Sequence, residues 1–343
     1  MITYRMSDVL PLLGLPDPPQ LRRDYYIPCP RCDDEQGKHL NIHLEKDVFR
    51  CPRCGIKGGV FDLYALFTDI PRDRVLADLR TRMGSNSVPA QRKPMPASPV
   101  ESPCADVAVR DMVYRALLAK LPLEPDHELN LTNRGLPFET IIHNGYRTTP
   151  LADTKVLTNQ LLAEGHTLAG IPGFYLKDRQ WRFVSEHRGI LIPMRDVQGC
   201  IQGLQVRRDN VLKRKFRWVS SASYTDGCRA EGWTHFVGPP QEKIILIEGP
   251  LKADVVHRLT GHTVLAVPGV NALTHLEKTL LELRQLGVQH IMTAFDMDFL
   301  CNPHVQVGYD SLTQKLMAMG FRYGTYLWNP DYNGLDDYIS QKN

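Results

Sequence analysis

Five carboxylate side chains in the last third of this sequence lie where apolar runs end or turns begin. They are Glu248 before Gly-Pro, Asp296 and Asp298 in "FDMD", and Asp336 and Asp337 in "NGLDDYI". In an open parallel sheet, ligands bind outside the carboxyl ends of the strands, so we expect these side chains to share one edge. Clustered carboxylates repel one another unless a cation balances them, and such oxygen ligands suit Mg²⁺ or Mn²⁺. A single acid at a strand end is ordinary surface, but three groups in this order favour a catalytic metal site that could align a triphosphate.

Two "CPRC" pairs near the N-terminus have the spacing of a zinc ribbon. Cys29 and Cys32 form the first pair, Cys51 and Cys54 form the second, and eighteen residues separate the pairs. Four thiolates on two knuckles close a tetrahedral zinc site, and a closed site is structural because it leaves no position for catalysis. The two nearby histidines are expected on the strand surface. The ribbon is therefore predicted to bind a partner rather than to catalyse.

Basic residues gather in two places. Four surround the knuckles: Arg31, Arg50, Arg53 and Lys57. The segment 207–217 holds six basic residues and one acid, interleaved with Phe216 and Trp218. Lysine and arginine neutralise phosphates while aromatic rings stack on bases, so both places are candidates for contact with nucleic acid. A solvated charged face is the alternative at each.

The elements that must position the carboxylates alternate between strand and helix. We predict strands at 244–247, 263–267, 291–295 and 323–328, with helices at 251–259, 273–286 and 307–320 between them. This alternation favours a mostly parallel sheet with helices on its faces. Upstream, apolar spacing predicts short helices from about residue 105 to 168, and 188–208 predicts two strands joined by a turn.

The fold class predicted is α+β with several domains. Residues 1–83 form a zinc ribbon domain, 84–104 a flexible linker with five prolines and four serines, 105–240 a helical and then strand-rich basic subdomain, and 241–343 an α/β domain with the carboxylates. Residues 173–217 include eleven Lys/Arg and four Asp/Glu, whereas residues 241–343 include eight Lys/Arg and eleven Asp/Glu. This difference indicates two surfaces with different ligands.

Composition excludes some classes of protein. The net charge of +3 decides nothing, but no run of about 20 apolar residues is present, so no membrane span is expected. The N-terminus lacks the features of a signal peptide. Four of the eight cysteines are scattered, as in a protein with reduced thiols, and we expect a cytoplasmic location.

Several segments resemble known families. The Glu-Gly turn at Glu248, the loop "VPGVNAL" and the strand ending in Asp-x-Asp resemble the TOPRIM fold of bacterial-type primases, type IA and II topoisomerases and some nucleases. The segment 51–61 is similar to the tail after the last zinc ligand of bacterial-type (DnaG-like) DNA primases, although Val60 directly follows the glycines. That family usually has histidine where this chain has Cys32. The resemblance implies a TOPRIM catalytic domain in which Glu248, Asp296 and Asp298 are catalytic.

The middle of the chain extends this resemblance. "RGILIPMRDVQGCIQGLQVRR" and "KRKFRWVSS" are similar to primase strands, which implies that Arg207 or Arg208, together with Lys215, contacts template or nucleotide phosphates. The family's Glu-Gly-Tyr-x-Asp segment is Glu-Gly-Pro-Leu-Lys-Ala-Asp here. Asp254 therefore either takes the downstream acidic role or caps a helix turn, and Lys252 is a candidate phosphate contact.

The segments "EGPLKAD", "VPGVN", "AFDMD" and "GLDDYI" look more like the small primases of plasmids, phages and integrative elements than the replicative enzyme. With six residues after Asp337, no helicase-interaction domain is expected.

Residues and resemblance together predict a DNA primase, a nucleotidyltransferase that uses structural zinc and catalytic Mg²⁺ or Mn²⁺. Its partners would be single-stranded DNA, nucleoside triphosphates and a replicative helicase or polymerase, with no membrane. A TOPRIM nuclease using water as the attacking group is one alternative, and a non-catalytic single-stranded DNA-binding protein is another. A topoisomerase is disfavoured because no strand-gating domains fit in this length.

Overall fold

The fold is known from a computed structural model that describes two compact units. We call Met1–Ser98 the ribbon unit and Pro99–Asn343 the large unit. The structure describes residues 4–15, 24–32, 38–83, 102–151, 153–185, 187–211, 215–269, 275–297 and 303–341. Within this part of the chain, no helix is long and apolar enough to cross a bilayer.

The ribbon unit is a small antiparallel sheet with helices beside it. Its strands, in the order β1-β2-β3-β4, are β1 (Asp24–Ile27), β2 (Leu40–His43), β3 (Val48–Arg50) and β4 (Lys57–Gly59). Its helices are α1 (Met6–Val9), a 3₁₀ turn (Leu10–Leu13), α2 (Val60–Thr68) and α3 (Val75–Met83). Alternate residues of β2, such as Leu40 and Ile42, are fully buried and pack with Leu63 of α2. Asp62, in the first turn of α2, accepts a hydrogen bond from the backbone N–H of the preceding N-cap residue Gly59 at 2.8 Å and so stabilises the start of the helix.

The first part of the large unit joins helices to an antiparallel sheet. The helices are α4 (Val107–Ala119), α5 (Pro125–Thr132), α6 (Phe138–Asn144) and α7 (Lys155–Ala163). The sheet has the order β10-β9-β8-β5, formed by β5 (Arg147–Thr148), β8 (Gly189–Arg195), β9 (Ile201–Arg208) and β10 (Phe216–Trp218), and β6 (Phe174–Lys177) pairs with β7 (Gln180–Phe183) in a separate hairpin. The two strands predicted within 188–208 are therefore β8 and β9, joined at Asp196–Cys200.

The second part contains a five-stranded sheet in the order β11-β13-β12-β14-β15. Its strands are β11 (His235–Val237), β12 (Lys243–Glu248), β13 (Val264–Val267), β14 (His290–Ala294) and β15 (Arg322–Thr325), and its helices are α8 (Pro250–Thr260), α9 (Leu276–Gln285), α10 (Pro303–Ala318) and α11 (Leu335–Ser340). Strands β12 to β15 run parallel to their neighbours in the sheet, and β11 adds an antiparallel edge that the sequence did not predict.

Both faces of this sheet are covered, which explains the continuous apolar run in β12. Ile244 and Leu246 pack with residues of α9 and α10 on one face, whereas Ile245 and Ile247 pack with residues of α8 and α11 on the other. A strand buried on both faces has no need for polar alternation. Each fully buried aliphatic side chain stabilises the fold by about 1.5–3 kcal/mol, so this sheet is a rigid base for whatever lies at its edge.

The predicted domain limits at 105 and 241 stay predictions. Residue 241 lies within the large unit, and most of the predicted linker lies outside the described residues. The last three linker positions are described, and there Ser102 N donates to Gly227 O at 2.9 Å. This end of the segment is thus held to the large unit.

Candidate functional site

The four cysteines of the two knuckles form one set of thiols. Their sulfur atoms all lie within 4.8 Å of one another, with Cys29 Sγ 3.7 Å from Cys54 Sγ and Cys32 Sγ 3.6 Å from Cys51 Sγ. Four sulfurs at the usual zinc distance of about 2.3 Å would be about 3.8 Å apart, so the set fits a tetrahedral zinc ion. Burial raises the pKa of Cys29 and Cys32, and a bound cation would favour their thiolate forms. The four basic residues around the knuckles are all exposed.

Glu248 is the last residue of the central strand β12. The chain runs from β12 to β13 on one side and then to β14 on the other side of β12. Such a reversal opens a crevice at the carboxyl end of the central strand. Gly249 follows with φ of 92°, a conformation that glycine adopts without strain, and Pro250 starts α8. This turn leaves the half-buried Glu248 at the strand end.

Asp296 lies at the same edge, two residues after β14 ends. One of its carboxylate oxygens accepts a hydrogen bond from the ammonium group of Lys252, in the first turn of α8. The other accepts from Asn333 Nδ2 at 3.0 Å, and Asn333 O in turn accepts from Met297 N at 3.0 Å. The segment before α11 is therefore tied to the end of β14.

Asp336 completes the group from the first turn of α11. Its side chain is 3% exposed, and its Oδ1 atom has no hydrogen-bond partner among the described residues. A Cβ atom on Gly334 would lie 2.4 Å from Asp336 Oδ1, 3.3 Å from Lys252 Nζ and 3.5 Å from Asp337 Oδ2. The three charged groups thus surround Gly334, where an added side chain would force Asp336 Oδ1 to move. Burial raises the pKa of Asp336, and the neighbouring carboxylates add to that effect.

We call Glu248, Asp296, Asp336 and Asp337 the acidic edge. One of its oxygens suits a hard divalent cation, because Asp336 Oδ1 is a buried acceptor with no donor among the described residues. Its oxygens do not form a set of three within 4.8 Å of one another in the described part of the chain. Lys252 lies among them, and Asp298 lies outside the described residues. The predicted magnesium or manganese site therefore stays a prediction.

Three cations lie together next to this edge, and we call Arg134, Arg207 and Lys215 the basic cluster. Arg207 on β9 is 8% exposed, and its Nε atom has no hydrogen-bond partner among the described residues. Burial lowers the pKa of Arg207, with a further contribution from Arg134. The charge of Arg207 lowers the pKa of Lys215, as does burial. An anion bound beside these cations would offset their mutual repulsion.

Arg134 joins the basic cluster to the acidic edge. Its Nη1 atom lies 3.7 Å from Asp336 Oδ2. Sequence reasoning missed Arg134, which follows α5 in the unremarkable stretch "TNRG". No local pattern predicts it, because its neighbours Arg207, Lys215 and Asp336 come from distant parts of the chain.

The other predicted residues of the basic segment lie on β9 and β10. Phe216 is directly opposite Arg207 in the antiparallel pairing and is 43% exposed. Lys215 O accepts a hydrogen bond from Arg208 N at 2.8 Å, which continues the pairing. Trp218 is half-buried and makes an edge contact with Trp233, with ring centroids 5.6 Å apart. Phe216 is thus the exposed aromatic ring beside the cluster, whereas Trp218 packs.

Asp254 does not join the acidic edge. It is buried, and its carboxylate accepts a hydrogen bond from Tyr146 Oη and lies 3.3 Å from His235 Nε2. Arg195 N donates to His235 Nδ1 at 3.0 Å, so the hydrogen of that imidazole is on Nε2 and points at Asp254. These contacts hold α8 against β11 and against Tyr146, which directly precedes β5. Of the two roles considered for Asp254, neither describes this network.

One further polar cluster, around Arg188, was not predicted. Its guanidinium donates to Asp126 at 2.7 and 2.8 Å and to Asp209 at 2.7 Å, while His127 Nε2 lies 3.0 Å from Asp209. Thr148 Oγ1 is 2.7 Å from His127 Nδ1. The acids and the histidine have the spacing of metal ligands, but here an arginine supplies the positive charge. The cluster fastens the start of α5 to β8 and β9.

Comparison with known proteins places the fold. Residues 233–343 match the model of a family described as a domain of unknown function (DUF3854). No curated protein matches this chain.

Solved structures of primases are similar to it. The zinc-binding and RNA polymerase domains of the Aquifex aeolicus primase match with a TM-score of 0.50 and 15% identity, over 98% of this chain and 80% of that one. A DNA primase domain from Pseudomonas aeruginosa matches with a TM-score of 0.51 and 16% identity, over 68% of this chain and 75% of that one. A third match is the RNA polymerase domain of the Mycobacterium tuberculosis primase, solved with a double-stranded DNA oligomer bearing a 6-nucleotide overhang. Its TM-score is 0.50 and its identity 15%, over 70% of this chain and 78% of that one. The chain therefore has the fold of these primase domains.

Proposed function

We propose that this protein is a DNA primase that synthesises short RNA primers on single-stranded DNA by metal-dependent nucleotidyl transfer. The observation that carries the proposal is the contact between Arg134 and Asp336, which brings the basic cluster beside the acidic edge. Nucleotidyl transfer needs both surfaces, one for phosphates and one for divalent cations. The fold shared with primase domains supports the same function.

In this proposal the zinc-bound ribbon grips the template, and its exposed arginines and Lys57 meet phosphates. Arg207 and Lys215 hold phosphates of template or nucleotide, with Arg208 on the same strand, and Phe216 offers a ring on which a base can stack. Arg134 orients Asp336 while it faces the same phosphates.

Glu248, Asp296, Asp336 and Asp337 would hold Mg²⁺ or Mn²⁺, with Asp298 as a further proposed ligand. Such an ion lowers the pKa of a bound hydroxyl and offsets charge on a triphosphate. The 3′ oxygen of the primer forms a bond to the α-phosphorus of the incoming nucleotide, and the bond to the β-phosphate oxygen breaks as pyrophosphate leaves. Glu248 takes the hydroxyl proton in this scheme.

We further propose that the primase serves a plasmid, phage or integrative element. This rests on the segments "EGPLKAD", "VPGVN", "AFDMD" and "GLDDYI" alone. A helicase or polymerase of that element would recruit it.

The test is a primer-synthesis assay. The full chain, loaded with zinc, is incubated with single-stranded DNA, labelled ATP and GTP, and Mg²⁺ or Mn²⁺, and the products are resolved on a denaturing gel. Short labelled oligonucleotides that require both template and divalent cation are expected. Metal-dependent loss of the DNA without synthesis would instead identify a nuclease. Retention of DNA with neither reaction, on several template sequences, would identify a binding protein.

A further inference from the structure

Lys252 places its ammonium group among the carboxylates of the acidic edge. Its ammonium group donates to Asp296, and it lies beside Asp336 and Asp337 around Gly334. We infer that Lys252 is a built-in counterion that competes with the divalent metal for Asp296. This inference deepens the proposed function, since it rests on the acidic edge as its metal site.

Both oxygens of Asp296 are engaged by protein donors. Lys252 takes one, and Asn333 Nδ2 takes the other at 3.0 Å. Each of these oxygens keeps a second lone pair, but an ammonium group at hydrogen-bond distance repels a divalent cation bound to the same oxygen. Lys252 and a metal ion therefore compete for Asp296.

The charges around Lys252 hold its ammonium group at the acidic edge. Its side chain is 26% exposed, and its ammonium group lies with Asp336 Oδ1 and Asp337 Oδ2 around Gly334. Arg134 is on the other side of Asp336, at 3.7 Å from Oδ2. Even so, Asp336 Oδ1 keeps no donor among the described residues. Lysine offsets part of the acidic charge but leaves one buried oxygen for a second cation.

A displaced lysine needs a new anion. Lysine is a compact charge on a flexible stem, and Lys252 is in the first turn of α8, where the free N–H groups of a helix also attract anions. A triphosphate held at this edge supplies such a partner. Metal and triphosphate binding are then coupled, because each relieves the cost of moving Lys252.

The experiment measures Mn²⁺ affinity and needs no catalysis. Isothermal titration of Mn²⁺ into the zinc-loaded full chain, without nucleotide, is compared for wild type, Lys252→Met and Lys252→Arg. Methionine keeps the stem without the charge, so its Kd for Mn²⁺ is expected to fall on the order of tenfold. Arginine keeps the charge and is expected to bind Mn²⁺ as weakly as wild type. The matched control is Lys315→Met. Lys315 lies on α10 and forms an ion pair of 2.6 Å with Glu277, and its replacement is expected to leave the Kd for Mn²⁺ unchanged.

The outcomes separate the inference from the proposed function. An unchanged or weaker Mn²⁺ affinity in Lys252→Met overturns the inference, as does an equal gain in Lys252→Arg. If Lys252→Met is poorly folded by near-ultraviolet circular dichroism, the arginine variant decides, because tighter Mn²⁺ binding by that variant refutes competition by charge. Tighter binding by Lys252→Met in a protein that makes no primers upholds the inference and rejects the primase alone.

Discussion

Arg134 Nη1 lies 3.7 Å from Asp336 Oδ2, and this contact makes the basic cluster and the acidic edge a single surface. Arg134 follows helix α5, whereas Asp336 lies in the first turn of α11, so the surface exists only in the folded large unit. A nucleic acid strand held through its phosphates by the cluster would have its end delivered to the carboxylates. The predictions below test the two parts separately.

Replacing Asp296 should abolish synthesis and spare DNA binding. Asp296→Asn keeps the shape of the side chain but removes the charge that a divalent cation needs, and a loss of more than about 100-fold in primer synthesis is expected. Affinity for single-stranded DNA, measured by fluorescence anisotropy, should stay within about twofold, because the phosphates are held elsewhere. The control is Asp310→Asn, an exposed carboxylate on α10. Equal activity of Asp296→Asn and wild type would contradict the metal assignment.

Lys215→Ala should weaken DNA binding at every sequence alike. Lys215 is exposed, so replacing it is expected to leave the fold intact. The replacement also removes the charge repulsion between Lys215 and Arg207. If Lys215 neutralises one phosphate, the slope of log K against log salt should fall by about 0.7 for single-stranded DNA. Lys278→Ala, an exposed lysine on α9, should leave the slope as it is. If the slope is the same in both variants, Lys215 does not contact a phosphate of the bound DNA.

Loss of the thiol set should release zinc and unfold the ribbon unit. Atomic absorption should find about one zinc ion per wild-type chain and none in Cys51→Ser, because three thiolates no longer close the site. Protease treatment should then cut within residues 24–83 and spare the large unit, which has its own core. Cys200→Ser, a thiol outside the set, is expected to keep its zinc. Full zinc content in Cys51→Ser would refute the four-cysteine site.

The ion pair between Asp126 and Arg188 predicts that the stability of the fold depends on pH. Hydrogen bonds from Arg188 lower the pKa of Asp126 to about 2, compared with about 3.9 in an unfolded chain. A carboxyl whose folded pKa is depressed stabilises the fold fully above its unfolded pKa, and that contribution disappears as pH falls from about 4 towards 2. Asp126 is largely exposed, so the effect is small.

Asp126→Asn should therefore lower Tm by about 1–3 °C at pH 6, and the difference should vanish near pH 2. Scanning calorimetry across pH 2 to 6 measures it, with Asp310→Asn as the unaffected variant. A difference that stays constant over this range would show that Asp126 stabilises by something other than its charge.

Local patterns predicted the elements of the site better than its contacts. The apolar run 244–247 and the following Glu-Gly located β12 and its end correctly, because strand burial and turn chemistry are written in neighbouring residues. The cysteine spacing likewise predicted the thiol set. Arg134 and the pairing of Lys252 with Asp296 were beyond sequence reasoning, since they depend on how α5, α8 and β14 pack together. The antiparallel strand β11 is only three residues long, and a segment that short carries no usable period.

The residues of the site are synthesised at different times because they lie far apart in the sequence. Arg134, Arg207 and Lys215 leave the ribosome before Asp296, and Asn333 and Asp336 follow last. Because domains generally fold as units and both groups belong to the large unit, the basic cluster and the acidic edge are expected to form together rather than one after the other. A nascent chain that lacks residues 333–337 would lack both Asn333, which donates to Asp296, and Asp336, which contacts Arg134, so a late segment of the chain joins the two groups.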